Sequence, residues 1–186
     1  MPRIADIEDT PNPNAKKFIL HEPLSWGMAR SYENAAAAQD DPLAKALFDV
    51  EHVTNVFYVD RWITVTQDGQ ADWHELSRKL AGPIRAAPSA STQTASTVAA
   101  ADAALAELSP EDQERVDMIN GLLDAHIRPY LQGDGGDLYV VGLEGNTLAV
   151  HYQGACGTCP SSISGTLAGI ESLVRTIEPD IEVVAV

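Results

Sequence analysis

Cysteine is scarce in this sequence. There are two among 186 residues, Cys156 and Cys159, too few for the disulfide framework of a secreted domain. Positive charge is scarce as well: 12 lysines and arginines stand against 27 aspartates and glutamates, a formal charge of −15. The deficit is uneven. Residues 1–86 hold 9 basic and 13 acidic residues, whereas residues 87–186 hold 3 and 14. A surface this acidic repels phosphate backbones, so nucleic acid is not an expected partner; keeping the chain solvated is its plain role. Long apolar runs are missing, so no segment is expected to enter a membrane. Met1-Pro2-Arg3-Ile4-Ala5-Asp6 has neither the apolar core of a signal peptide nor the Arg/Ser-rich, acid-poor character of a transit peptide. A reducing cytoplasm is therefore the expected compartment. No Ser/His/Asp set, phosphate-cradling loop or pair of carboxylates stands out, and the chain is not expected to be an enzyme.

What is present falls into two patterned regions. In the first, Arg3 to Glu8 alternates like a half-buried strand, turn formers fill Thr10 to Asn14, and Lys17 to His21 reads as a second strand. The segment from there through Ala38 is ambiguous. Asp41-Pro42 then marks a helix start, with Asp at the N-cap and Pro at the first helical position; Leu43, Leu47 and Phe48 supply its apolar face. Val53 to Val59 and Trp62 to Thr66 are rich in β-branched and aromatic residues. Only Asp60-Arg61 separates them, which predicts a tight hairpin. Asp72 and Glu75 open another helix, through about Ile84, with Trp73, Leu76 and Leu80 on its buried side. His74 is expected to be exposed or capping.

From Ala87 to about Ala104 the composition turns to Ala, Ser and Thr, as in a linker. Ser109-Pro110-Glu111-Asp112 opens the second region with a strong helix start. Val116, Ile119, Leu123 and Ile127 mark one apolar face, and Pro129 limits the helix. Gly133 to Asp137 reads as a loop, Leu138 to Gly142 and Thr147 to Tyr152 as strands. Ile163, Leu167, Ile170, Val174 and Ile177 recur at helical spacing up to Pro179, and Ile181 to Val186 closes the chain as a strand. The expected fold class is α+β: two small α+β modules, the C-terminal one ordered α-β-β-α-β with helices on one face of a three-stranded sheet.

Both cysteines sit at the junction between the second of those strands and the helix after it, in Gly154-Ala155-Cys156-Gly157-Thr158-Cys159-Pro160. Two thiolates at this spacing can converge on one metal ion or one small cluster. Gly157 gives the turn between them conformations closed to other residues. Pro160 suits a first helical position, which makes Cys159 or a neighbour the N-cap. The N–H groups of that helix turn are expected to face the sulfurs and lower the thiolate pKa. An iron–sulfur cluster or a thiolate zinc site takes four protein ligands, and this chain has two cysteines. Each copy is thus expected to give half a site, completed across a symmetric dimer and exposed at its interface. Two other readings use the same pair: a thiol–disulfide oxidoreductase and a zinc-bridged interaction module. The first lacks the preceding βαβ pattern and a flanking aromatic. Asp134 and Asp137 have cation-ligand spacing without the rest of a calcium loop, so turn formation is their expected role. His151 is expected packed or exposed on its strand, and His126 near a helix C-terminus.

Ile127-Arg128-Pro129, Asp134-Gly135-Gly136-Asp137 and Gly154 through Ser162, continuing through Thr166-Leu167 and Gly169-Ile170-Glu171, resemble the NifU-like C-terminal (Nfu) domain. Thr10-Pro11-Asn12-Pro13-Asn14-Ala15, Lys17-Phe18, Asp41-Pro42-Leu43-Ala44, Leu47-Phe48 and Ile63-Thr64-Val65-Thr66 resemble the Nfu N-terminal domain. The resemblance implies an iron–sulfur cluster scaffold or carrier. It implies a [4Fe–4S] cluster shared between two subunits through Cys156 and Cys159 of each, taken from upstream cluster-assembly proteins and delivered to apo iron–sulfur client proteins. The implied layout is an N-terminal domain over 1–86 for client recognition or stability, a flexible linker over 87–104 and a cluster-binding domain over 105–186. Departures lie in the first domain: His52-Val53 where the family usually has Gly-Val, Arg61-Trp62 where it has Asp-Phe, and Gln67 at a commonly basic place.

Overall fold

The computed structural model describes residues 2–25, 29–88, 105 and 107–186. The linker expected over 87–104 lies outside the described residues from position 89 onward. The chain divides into two compact units, Met1–Thr97 and Val98–Val186. No helix among the described residues is long and apolar enough to cross a membrane.

The first unit is a five-stranded antiparallel sheet. Its strands are β1 (Ile4–Asp9), β2 (Ala15–Leu20), β3 (Arg30–Tyr32), β4 (Val53–Val59) and β5 (Trp62–Gln67), in spatial order β1-β2-β5-β4-β3. Helices α1 (Pro42–Phe48) and α2 (Trp73–Ala86) join it. Alternation puts Phe18, Leu20, Val56, Tyr58, Ile63 and Val65 into one core with Leu43, Leu47, Leu76, Leu80 and Ile84 of the helices. The two-residue hairpin at Asp60-Arg61 forms as patterned, with Asp60 at φ +48. The stretch that was ambiguous in sequence contains β3. Three residues carry no periodicity, and pairing with β4 is what defines them. His52 lies at φ +75, a left-handed conformation that favours glycine. That explains why Gly is usual there in the resembled family. Here His52 Nδ1 lies 3.0 Å from Asp68 Oδ2, and the Asp68 N–H donates to the His52 carbonyl at 3.1 Å.

Asp41 does more than cap α1. Its Oδ1 accepts from the Ala44 N–H at 2.9 Å, as an N-cap should. Its Oδ2 accepts from the Tyr58 hydroxyl, from the Tyr32 hydroxyl at 2.9 Å and from Arg30 Nη1 at 3.1 Å. The residue is 5% exposed. Burial works against the ionised carboxylate. The Ala44 N–H, the two hydroxyls and the Arg30 charge outweigh it and hold the Asp41 pKa below its ordinary value. One side chain thereby ties β3, β4 and α1 together.

The second unit contains α3 (Pro110–His126), capped by Ser109. A break at Ile127 admits a short extra helix, α4 (Arg128–Gly133), with Pro129 in its first turn. Its sheet contains β6 (Gly136–Glu144), β7 (Thr147–Gly154) and β8 (Glu182–Ala185) in that order. β6 and β7 are antiparallel, β7 and β8 parallel. Helix α5 (Pro160–Val174) is the crossover between the parallel pair. A bulge between Val140 and Gly142 resets the alternation, so Leu143 joins Leu138, Val140, Leu148, Val150 and Tyr152 in the core. Val116, Ile119, Leu123, Leu131, Ile170 and Val174 cover that face. Among the described residues the α-β-β-α-β order holds, with the six-residue α4 added where Pro129 was expected only to end the first helix. Two expectations are corrected. Gly136 and Asp137 belong to a strand rather than a loop. Helix α5 ends at Val174, so Ile177 lies outside it and is 41% exposed.

The Asp41 network yields a test. Asp41→Ala removes the cap and leaves Arg30 buried beside two tyrosines, so the first unit should lose about 3–5 kcal/mol. All three tryptophans lie in residues 1–97, so urea unfolding followed by tryptophan fluorescence reads that unit. The folded pKa of Asp41 is depressed. Its contribution is therefore complete above the unfolded-state value of roughly 3.9 and lost as pH falls through the lower folded value. An acid limb of the stability curve unchanged in Asp41→Asn would contradict the assignment.

Candidate functional site

Strand pairing places both cysteines. Gly136 opens β6 opposite Gly154, the last residue of β7. Gly135 and Gly154 lie at φ +82 and +64, turns that an L side chain would strain. The Ala155 N–H donates to the Gly135 carbonyl at 3.1 Å and holds the following loop against the start of β6. Cys156 then points at Gly136. A Cβ at position 136 would stand 2.6 Å from Cys156 Sγ, 2.6 Å from the Gln153 carbonyl and 2.9 Å from Cys156 Cβ. Only glycine leaves room for the thiol there. Gly157 is required for a similar reason and not for its φ: a Cβ there would lie 2.7 Å from the Tyr152 carbonyl.

Cys159 is the N-cap of α5, with extended φ −111 and ψ 105, and Pro160 is in the helix's first turn as expected. The Ile163 N–H donates to the Cys159 carbonyl at 3.1 Å, starting the helix. The Tyr152 and Thr166 hydroxyls are 2.9 Å apart and tie β7 to α5. Both cysteines are unbridged and buried, Cys156 at 2% exposure and Cys159 at 5%. The expected exposed position is thus not what the single chain shows: both cysteines are buried, Cys156 against the start of β6.

The electrostatics also differ from expectation. Burial pushes the Cys156 thiol up to about 12, and the negative charges of Asp134, Cys159 and Asp137 add to it. Each of these causes acts in the same direction, so Cys156 favours its protonated form at neutral pH. Asp137 is itself buried. Desolvation raises its pKa, against the opposing pull of Gln132 (Nε2 to Oδ2, 3.1 Å), its hydrogen bond from the Leu138 N–H and the Arg128 charge. Arg128 Nε donates to the Leu138 carbonyl at 3.1 Å and sits 3.8 Å from Asp137 Oδ1. Arg128 and Asp137, nine residues apart in sequence, form one frame behind the cysteine.

Of the remaining candidates, His151 is engaged elsewhere. Its Nδ1 lies 2.7 Å from the Val186 carbonyl and its ring packs on Tyr139 at 5.2 Å. His74 and His126 are exposed. Among the described residues no group of three or more His, Cys, Asp or Glu side chains is arranged to hold a metal ion. The donor set of the loop is therefore two sulfurs, half of a four-ligand shell. Sequence reasoning missed Gly136. Its signal was the Gly-Gly pair at 135–136, which turn formation explained equally well.

Thiol chemistry tests this geometry. In the folded apo chain at neutral pH, Cys156 should react with Ellman's reagent at least about tenfold more slowly than in urea, being buried and protonated. Gly136→Ala should erase most of that protection. Fast reaction of both thiols in the folded wild type would contradict the burial.

Two sequence families match the chain, one in each region. Residues 4–90 match Scaffold protein Nfu/NifU N terminal, and residues 119–185 match NifU-like domain. The human protein named NFU1 iron-sulfur cluster scaffold homolog, mitochondrial, is 36% identical over 181 residues, covering 94% of this chain and 68% of its own length. The protein of the same name from Drosophila persimilis is 34% identical over 188 residues, covering 94% of this chain and 62% of its own. The chain thus spans about two thirds of the human relative and somewhat less of the fly one. The solution structure of a NifU-like protein from Saccharomyces cerevisiae aligns with 50% of this chain and 87% of its own, at 19% identity and a TM-score of 0.43.

Proposed function

The chain belongs to the Nfu/NifU family of iron–sulfur cluster scaffold proteins, and on that footing we propose that it carries a [4Fe–4S] cluster between two copies of itself and delivers it to apo-proteins. Cys156 and Cys159 of each copy are the ligands. The observation that carries this reading is the donor count: two sulfurs on one loop, and no third metal-ligating side chain grouped with them among the described residues. The cluster is cargo, and the chain performs no chemical conversion of its own.

Loading requires both sulfurs to turn outward and give up their protons. Two of the backbone hydrogen bonds that shape the loop are long. The Gly157 N–H reaches the Gly154 carbonyl at 3.2 Å and the Cys159 N–H reaches the Cys156 carbonyl at 3.4 Å, long beside the usual value of roughly 2.9 Å. A thiol–disulfide exchange role is disfavoured by the raised Cys156 pKa, since a nucleophilic thiol needs a lowered one. We assign the cluster to the domain over 105–186, client recognition or stability to residues 1–86, and a tethering role to 87–104. Two unbridged thiols call for a reducing compartment, and we assign the cytoplasm.

Anaerobic reconstitution with iron and sulfide tests the reading. The expected product has about two irons per chain, a broad absorption near roughly 400 nm and the mass of a dimer. Cys156→Ala and Cys159→Ala should each abolish uptake while the circular dichroism stays that of the wild type. A monomer that takes up no iron but reduces disulfides, or one that binds zinc and refuses iron, would reject it.

A further inference from the structure

The first unit has a groove whose chemistry runs against the rest of the molecule. It lies between α2 and the free edge of the sheet, where β1 is the outermost strand. Its volume is roughly 570 Å³. Ile4, Ile7, Trp73 and Ala81 supply apolar lining, and Arg78 and Arg85 supply charge. Positions 74, 78, 81 and 85 share one face of α2 by helical spacing. The two arginines are exposed, and neither has an acidic partner among the described residues. Their neighbour Lys79 is paired with Glu75 at 3.0 Å. In a chain with 27 acidic residues against 12 basic ones, two arginines without a carboxylate on one helix face are a departure from the general pattern.

The strand side of the groove is consistent with that. Glu8 is paired with Lys17, at 3.5 Å, and by alternation with Ile7 faces the other side of the sheet. Asp9 is neutralised by Lys16 at 2.5 Å, and Lys16 Nζ lies 5.9 Å from the centre of the Trp73 ring. Ile7 is 39% exposed, the one large hydrophobic so exposed in the first unit among the described residues. Among the described residues β1 is also an edge strand, able to pair with an incoming extended segment.

We propose that this groove docks an extended segment of another protein, one that alternates acidic and apolar residues. The apolar side chains would lie on Ile4, Ile7 and Ala81, and the carboxylates would reach Arg78 and Arg85. From Trp73 to Arg85 the helix runs about 18 Å, the length of about five or six extended residues. The assignment deepens the recognition role proposed for residues 1–86. It rests on the scaffold reading only in taking the partner to be a client apo-protein.

The test uses the full chain and fluorescence anisotropy of a labelled ten-residue peptide that alternates glutamate with valine. Companion peptides carry lysine for glutamate, or serine for valine. The glutamate–valine peptide should bind, and binding should weaken with added salt. Arg78→Glu combined with Arg85→Glu should lower the affinity at least about tenfold, and Ile7→Ser should lower it as well. Arg61→Glu, at an exposed arginine outside the groove, should leave it unchanged. Arg78→Gln with Arg85→Gln repeats the measurement without charge reversal should the first pair disturb the helix. Equal binding of the lysine peptide, or unchanged binding by both arginine variants, would overturn the proposal. Self-association of the apo chain that disappears in the arginine variants would also overturn it, because the occupant would then be a second copy. Iron uptake is read separately on the same proteins. The arginine variants should take up as much iron as the wild type, whereas a wild type that takes up none rejects the scaffold reading and leaves the peptide measurement standing.

Discussion

The second unit depends on a place where a side chain is missing. Cys156 Sγ occupies space that any Cβ at position 136 would claim, and it can do so because β6 opens on glycine. That approach sets the register in which Gly136 faces Gly154. The register in turn fixes where β7 stops, where the loop turns and where Cys159 can cap α5. Larger side chains along β6 and β7 form the core that holds the strands together. The site is built on the small end of the same strands. Packing and the proposed site therefore share one hairpin, and the residue that makes room for the thiol has no reactive group of its own.

Charge around the thiols follows from that enclosure. Cys156 is out of water and close to three groups that are, or can be, negative: Asp134, Asp137 and Cys159. The positive charge of Arg128 stands behind them and is shared with Asp124 and Asp137. Such a site favours protons on sulfur until a cation arrives, and it keeps the free thiol slow to oxidise. On the proposed reading, iron would supply positive charge at the loop.

The first unit is stabilised in another way. Its central polar element, Asp41, has four donors around one carboxylate and joins two strands to a helix. Neutralisation is complete there, in contrast to the cysteine loop. Away from that core, on the outer face of α2, the opposite holds: Arg78 and Arg85 have no carboxylate partner among the described residues. Charges left without partners within a fold are available for partners outside it.

Much of this was legible in the residues. Alternation and helical spacing marked most of the strands and helices, because periodic burial leaves a periodic trace. The caps at Asp41, Asp72 and Ser109 announced helix starts, since unpaired N–H groups need side-chain acceptors. Two cysteines at this spacing were legible as the donors of the loop, because the count of thiols is written in the sequence. What the sequence could not hold were relations between residues distant along the chain. β3 is a strand because β4 lies beside it. Arg128 and Asp137 form one frame because α4 packs on β6. Gly136 matters because Cys156, twenty residues later, is folded onto it. The protonation of that thiol depends on what surrounds it, and only the tertiary structure decides that: desolvation and charge act through space, and the chain's order does not record distances in space.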